Sequence, residues 1–449
     1  MKAVVIGGGV AGLAAAYELT KRGHAVTLVE AGPILGGQVR TFEIGGGRIE
    51  SFYHHLFRSD TEIIALIEEL GLGGDLEWID SRGGMNAGGR NYPFVGPLDL
   101  LRFDRVSLPT RVRLGLAALW LRRTSDWKRY EGMRAREWIT SRVGREGYER
   151  VWGPLLRAKF GPYADDIAMT WFWGKIYLRF ASRPGGLFAR EQLGYLRGSF
   201  GRLVDALAAE IVSRGGEASP ATPVKRILLR DGAVAGVTVP APDGASPDRT
   251  IEADTVIATV PSGIFQRMLP ELGELDGRYA SMIAAQQYQW ASVLVLALDR
   301  GLSPHYWLTM TDEDSPFVVA VEQTNVIDPS VYGGNHVVYL SRYTDPGDPL
   351  VEMTADEVFA RYLPYLRRIN RDFDESWVRD RWLFVDRAGQ PVVHYRYHED
   401  IAPHRTPVRG LYLANTTQIY PEDRGQNYSI RMGRRVARLA EIDAAAGGR

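Results

Sequence analysis

Short β-branched apolar runs and longer alanine- and leucine-rich stretches alternate at the two ends of this chain, and the interior follows other rhythms. Ala3–Ile6 has the pattern of a buried strand, the stretch that follows is helical as far as Arg22 and stops at Gly23, and Ala25–Val29 is a second strand ending in Glu30. A helical pattern returns after Gly198-Ser199-Phe200-Gly201, in LVDALAAEIVSRGG. Val224–Leu229 and Ala233–Val239 are predicted to form a hairpin across the turn residues Arg230-Asp231-Gly232. Asp254–Thr259 and Gly410–Ala414 are predicted strands, and Ser429–Leu439 a helix. Residues 86–190 are mostly helical in pattern and hold Trp120, Trp127, Trp138, Trp152, Trp171 and Trp173, a set better suited to a core than to a substrate cage. Residues 266–404 alternate as an antiparallel sheet does, at Ala291–Leu298, Phe317–Val321 and His336–Leu340. Tyr395 and Tyr397 stand at strand spacing and are expected to face one way. There is no internal repeat, and the terminal AAAGGR is expected to fray.

The first of these units carries chemistry. Gly7-x-Gly9-x-x-Gly12 lies between its strand and its helix, with Ala11 inside the turn. Gly7 suits the tight exit from the strand, Gly9 lets backbone approach a pyrophosphate, and Gly12 allows close helix–strand packing. The helix N-terminus offers amides and a positive dipole end to phosphates. Glu30 ends the second strand, next to Ala31, where a carboxylate accepts hydrogen bonds from a ribose diol. Strand, helix and acid together make this a dinucleotide site, where the glycines alone would be weak evidence.

The residues after Glu30 indicate which dinucleotide. Gly36-Gly37-Gln38-Val39-Arg40-Thr41 resembles the second glycine motif of flavoproteins in the amine oxidase, protoporphyrinogen oxidase and phytoene desaturase superfamily, where it lies along FAD. The resemblance implies an α/β fold: a Rossmann-like FAD-binding domain with a discontinuous α+β substrate domain. The expected division is 1–85, 191–265 and 405–449 for FAD, and 86–190 and 266–404 for substrate. Gln38 stands where arginine is common, which leaves the cation near the phosphates to Arg40 or absent. The resemblance also implies that backbone near Val224 faces adenine, that Pro261 follows a cofactor strand, and that the last helix points at the flavin pyrimidine through Gln426, Asn427 and Tyr428, after Arg424. Ala414-Asn415 replaces the usual Gly-Asp, and Asn415 is expected to bond phosphate or ribityl oxygens.

Composition narrows the classes. The chain of 449 residues is long enough for two or three domains, and its 54 basic and 54 acidic residues balance, which gives no field for nucleic acid. Lysine occurs only at positions 2, 21, 128, 159, 175 and 225. Cysteine is absent, so neither a disulfide nor a cysteinyl flavin link can form; a histidyl link stays open, and FAD is expected to be noncovalent. No metal site is expected. The apolar N-terminus is explained by the glycine motif rather than by a signal peptide, and no run reaches the ~18 apolar residues of a membrane span. A cytoplasmic location is expected, with peripheral membrane contact as an alternative. That alternative comes from residues 98–123, where Leu114, Leu116, Leu119, Trp120 and Leu121 lie between arginine pairs. The periodicity favours a core helix with polar ends.

His54 and His55, in Ser51-Phe52-Tyr53-His54-His55, fall where the family's chain passes the flavin ring and are the candidate catalytic residues, as hydrogen-bond donors or proton relays. Lys159 and Arg58 are candidates to neutralise an anionic substrate, although isolated cations are usually solvated surface groups. No second strand–glycine–helix unit is present for a nicotinamide, which leaves oxygen, a quinone or another acceptor to take the electrons. The absence of lysine after Lys225 counts against amine oxidation, for which the family draws a lysine from its later segment. The expected activity is FAD-dependent oxidation or desaturation of a largely apolar small molecule by hydride transfer to flavin N5. The alternatives are a flavin-dependent isomerase resembling UDP-galactopyranose mutase and a non-catalytic prenyl-binding protein resembling GDP-dissociation inhibitors.

Overall fold

The computed structural model describes residues 1–181, 191–241 and 246–447. The expected 190/191 domain division and the last two residues of the tail border or lie outside that set. The glycine-rich opening folds as β1 (Lys2–Ile6), α1 (Val10–Lys21) and β2 (Ala25–Val29), with β1 and β2 parallel and Ile6 opposite Val29. β1 lies at the centre of a five-stranded parallel sheet ordered Glu217–Ser219, β2, β1, Thr255–Ala258 and Leu411–Leu413. A sheet covered on both faces needs apolar residues at every position, and Ala3 through Ile6 are all buried. Ala3 and Val5 pack toward α1 and the C-terminal helix Gln426–Gly447, whereas Val4 and Ile6 pack toward a meander of Arg226–Arg230, Ala233–Val239 and Arg249–Glu252. Successive strands leave β1 in opposite directions, so their carboxyl ends part and open a crevice at the centre of the sheet.

A second, seven-stranded sheet is ordered Val378–Pro391, Tyr288–Leu298, His336–Thr344, Val319–Glu322, Trp307–Met310, Gly83–Ala87 and Arg90–Pro93. It is antiparallel except where Trp307–Met310 runs parallel to Gly83–Ala87. The expected 85/86 division therefore falls within a strand of this sheet. Five helices of the first insertion, Pro97–Arg102, Leu108–Arg123, Ala135–Val143, Gly153–Phe160 and Met169–Ala181, gather around Phe103, Leu114, Leu121, Phe160, Trp171 and Phe172.

Three expectations need correction. The Leu108–Arg123 helix buries Leu114 and Leu121, but Leu108, Val112, Leu116 and Trp120 are 47–60% exposed, so it is not simply a core helix and Trp120 is not a core residue. Their spacing of four puts them in one outward stripe. Tyr395 and Tyr397 are not on a strand. Tyr395 lies in a turn under the Arg134 guanidinium, 3.8 Å from its ring centre, and Tyr397 is buried with its hydroxyl donating to Thr417 O at 2.7 Å. The chain turns here because His394 pairs with Ile167 in an isolated bridge that ends the sheet pattern. The C-terminal helix starts at Gln426, earlier than expected, and runs to Gly447, so most of the tail is helical.

Candidate active site

The carboxyl ends of four adjacent parallel strands deliver Gly7, Glu30, Pro261 and Asn415 to one edge of the first sheet. The glycines there have different causes. Gly7 has φ +109°, and a Cβ on Gly12 would lie 1.9 Å from Gly7 O, so protein geometry demands both. Gly9 is extended at φ −71° and ψ 171°, and a Cβ on it would find no heavy atom nearer than Gly37 Cα at 4.0 Å. No neighbouring atom of the protein excludes a Cβ at that position, and the space in front of it is open. No side chain caps α1, so its first amides face the same space.

The two glycine motifs meet. Gly36 N donates to Gly8 O at 2.8 Å, and Gly9 and Gly36 form an isolated parallel bridge. Glu30 stands beside them, accepting from Gly8 N and Gly32 N at 2.7 Å each, while Ala31 is exposed. Thr222 N donates to Glu30 O at 2.7 Å, which carries the segment leading to buried Val224 alongside the acid. Val39 is buried, and Arg40 turns back to Gly37 O and over the Phe52 ring. The cation that reaches Gln38 is Arg424, with Nη1 3.4 Å from Gln38 Oε1.

The side chains of Asn415 and Asn427 are engaged within the protein. Asn415 Nδ2 donates to Val260 O and Ser262 Oγ, and its Oδ1 accepts from Thr417 N and Oγ1. Asn427 Oδ1 accepts from Glu62 N and Ile63 N, at the start of the Thr61–Glu69 helix. Both act as caps. Gln426, by contrast, is buried with Nε2 and Oε1 both lacking a protein partner, at the first turn of the C-terminal helix. An unsatisfied buried amide at a helix entrance calls for a polar ligand. Tyr428 lies under Arg431, 5.0 Å from the guanidinium carbon.

The two histidines part company. His54 Nδ1 is 2.6 Å from Phe52 O, and since a carbonyl only accepts, Nδ1 carries the proton and Nε2 a free lone pair. Burial, with Arg424 nearby, lowers its pKa to about 4, so it is neutral at pH 7. His55 Nδ1 is 3.1 Å from Tyr306 Oη, and its ring packs edge-on among Phe57, Tyr306 and Trp307.

A polar cluster continues from Arg424; the sequence reading singled out Lys159 and Arg424, but not Lys175 or Asp423 or their meeting. Asp423 Oδ2 accepts from Lys159 at 3.0 Å and from Lys175 at 2.5 Å, while Oδ1 accepts from Gln390 Nε2 and Arg424 N. Arg424 also bonds Gln390 Oε1 and Tyr343 Oη. Burial tends to raise the Asp423 carboxyl, but Lys159, Lys175 and Arg424 together hold it well below its usual range. The available signal was scarcity: two of only six lysines meet here. Both come from the first insertion. Arg58 instead stacks 4.1 Å over the Trp78 ring and bonds Gln192, away from this cluster.

A sequence profile of flavin-containing amine oxidoreductases matches residues 10–440. The chain belongs to that family. It is 25% identical over 468 residues to a probable zeta-carotene desaturase of Synechococcus elongatus, covering 93% of each chain. Its fold is similar to that of a putative protoporphyrinogen oxidase from Exiguobacterium sp. 255-15, with TM-score 0.74, 20% identity and 98% of both chains covered. It is also similar in fold to a reduced UDP-galactopyranose mutase, with TM-score 0.75, 15% identity, and 98% of this chain and 95% of that one covered. The chain is thus a flavin-dependent oxidoreductase by family, and the open face of Gly9 and the unsatisfied Gln426 fit such a cofactor.

Proposed function

We propose that the chain holds FAD noncovalently along the joined glycine motifs and oxidises or desaturates a largely apolar organic substrate. The observation that carries the cofactor reading is Gly9, whose Cβ position faces open space rather than protein and whose neighbour Gly8 is hydrogen-bonded to the second motif. Bound there, FAD supplies a hydride acceptor at N5. Glu30 holds the ribose end, and Gln426 receives polar atoms at the other end. His54 offers Nε2 as a hydrogen-bond acceptor or base and, being neutral, adds no charge to an apolar pocket. Tyr53, whose ring meets those of Trp307 and Tyr339 edge-on, forms an aromatic wall beside it. The desaturase relative supports the desaturation chemistry. Oxygen, a quinone or another acceptor then takes the electrons.

The outward stripe of the Leu108–Arg123 helix, with exposed Leu98 and Leu101 on the preceding helix, suits peripheral binding to an anionic bilayer from which an apolar substrate is drawn. Exposed Arg102, Arg105, Arg113, Arg123 and Arg129 surround it with positive charge. The deciding experiment is anaerobic titration of purified protein with candidate substrates. Flavin bleaching by a compound with an activated C–H bond supports the reading. Rapid bleaching by NADPH, with isomerisation of a UDP-sugar and no net oxidation, would replace it with mutase chemistry. Flavin that stays on the denatured polypeptide would contradict noncovalent binding.

A further inference from the structure

Lys175 keeps 43% of its side chain accessible while its ammonium meets Asp423, whose side chain is only 13% accessible. Lys159 stands behind it, buried. Among the described residues, Asp423 is the only carboxylate within ion-pair distance of either lysine, and it serves both. Arg424 adds a third positive charge, with Asp386 acting on it separately. Both Asp423 oxygens are already engaged, so the cluster carries more positive charge than it can neutralise. Apolar surface adjoins it: the Trp171 ring centre is 4.9 Å from Lys159 Nζ and 5.4 Å from Lys175 Nζ, and Tyr343 is 5.4 Å from Lys159 Nζ.

We propose that Lys175, backed by Lys159, receives an anionic group of the substrate, a carboxylate or a phosphate carried on an otherwise apolar body. The assignment rests on the flavin oxidoreductase reading and narrows its substrate class to amphipathic acids. Lys159 and Asp423 are largely shielded from water, so positive charge left over beside them is costly unless a partner arrives, and accessible Lys175 is where one can. The strain is visible in Lys175, whose ammonium is pushed below its usual range by burial and then by Lys159, against the pull of Asp423. Tyr343 responds in kind. Burial would raise its hydroxyl, but Lys159 and Arg424 hold it below the usual range. An arriving anion supplies the missing counter-charge, while Trp171 and Tyr343 cover the adjoining apolar carbons. Lysine suits the task because its compact ammonium, on a flexible stem, can meet either a carboxylate or a phosphate.

The test uses flavin-loaded protein and four probes of equal chain length, octanoate, octyl phosphate, 1-octanol and octyltrimethylammonium, with binding followed by calorimetry. At least one anion should bind about tenfold tighter than octanol, as expected for one charge-assisted contact, and the better anion tells carboxylate from phosphate. Lys175→Gln should erase that preference while leaving flavin content and octanol affinity unchanged, and Lys175→Arg should restore much of it. Equal binding of octanol and both anions overturns the assignment, as does a preference that survives Lys175→Gln. Loss of flavin in Lys175→Gln overturns it too, by giving the lysine to the cofactor. If the variant does not fold, the wild-type comparison decides alone. A protein that retains no flavin refutes the oxidoreductase reading instead, so the two failures are distinguishable.

Discussion

Gly9 and Gly12 look alike in the motif but answer to different constraints, and substitutions separate them. Gly9→Val should abolish flavin retention while leaving the flavin-free protein about as stable as flavin-free wild type, because its Cβ has room. Gly12→Ala should lower stability by about 2–4 kcal/mol, because its Cβ collides with Gly7 O. Absorbance at flavin wavelengths per mole of protein, together with Tm, reads both. A second pair concerns pH. His54, with its folded pKa lowered to about 4 from 6.5, contributes stability present above pH 6.5 and lost as pH falls through 4. Glu50 is fully buried, accepting from Tyr195 Oη and Phe200 N, and burial raises its pKa to about 7 from 4.5. Its contribution is present below pH 4.5 and lost as pH rises through 7, opposite in sense to His54. In urea titrations across this range, the stability of His54→Gln relative to wild type should fall as pH rises, and that of Glu50→Gln should rise. Parallel profiles for all three proteins would refute the assignment. At this scale the sequence revealed backbone geometry well and side-chain destinations poorly. The Gly9 turn is legible because its neighbours in the chain complete it, whereas the Asn427 cap and the Asn415 bond to Val260 O depend on partners more than 150 positions away.

The C-terminal helix crosses α1 at Gly433, where a Cβ would lie 2.2 Å from Ala11 O. Gly433→Val should therefore force the helices apart, costing roughly 3 kcal/mol and weakening flavin retention, since Gln426 and Ala11 shift together. Denaturation monitored by flavin fluorescence checks the coupling; loss of stability with unchanged flavin affinity would refute it. The Leu108–Arg123 helix yields another prediction at this scale. Leu116→Glu with Trp120→Glu should abolish co-sedimentation with phosphatidylglycerol vesicles while leaving the fold intact, because both side chains already face out. Binding that survives the double substitution would dismiss the stripe as a lipid contact. Periodicity read this helix incompletely because it has apolar residues on two faces, and a single pattern cannot say which of them finds a neighbour. The β1–α1–β2 unit was legible almost residue by residue, since adjacent segments complete it.

In the whole molecule, the central parallel sheet draws strands from residues 2–6, 25–29, 217–219, 255–258 and 411–413. The helical bundle and antiparallel sheet are both inserted between those pieces. The sequence showed that layout through its changing rhythms, but not that Gly83–Ala87 joins the second sheet, a pairing with residues 307–310 that no local pattern encodes. Nor could it place Lys159 and Lys175 beside Asp423, which lies on a third segment. The same interleaving has a consequence for synthesis. Until Leu411–Leu413 emerges from the ribosome, Thr255–Ala258 presents an open strand edge whose four residues are all buried in the finished fold, and the helix that bears Gln426 does not yet exist. Arrested nascent chains ending at residue 409 should therefore neither take up flavin nor escape chaperones, and release of full-length chains should coincide with the onset of cofactor fluorescence quenching. The cofactor's arrival would mark the completion of translation.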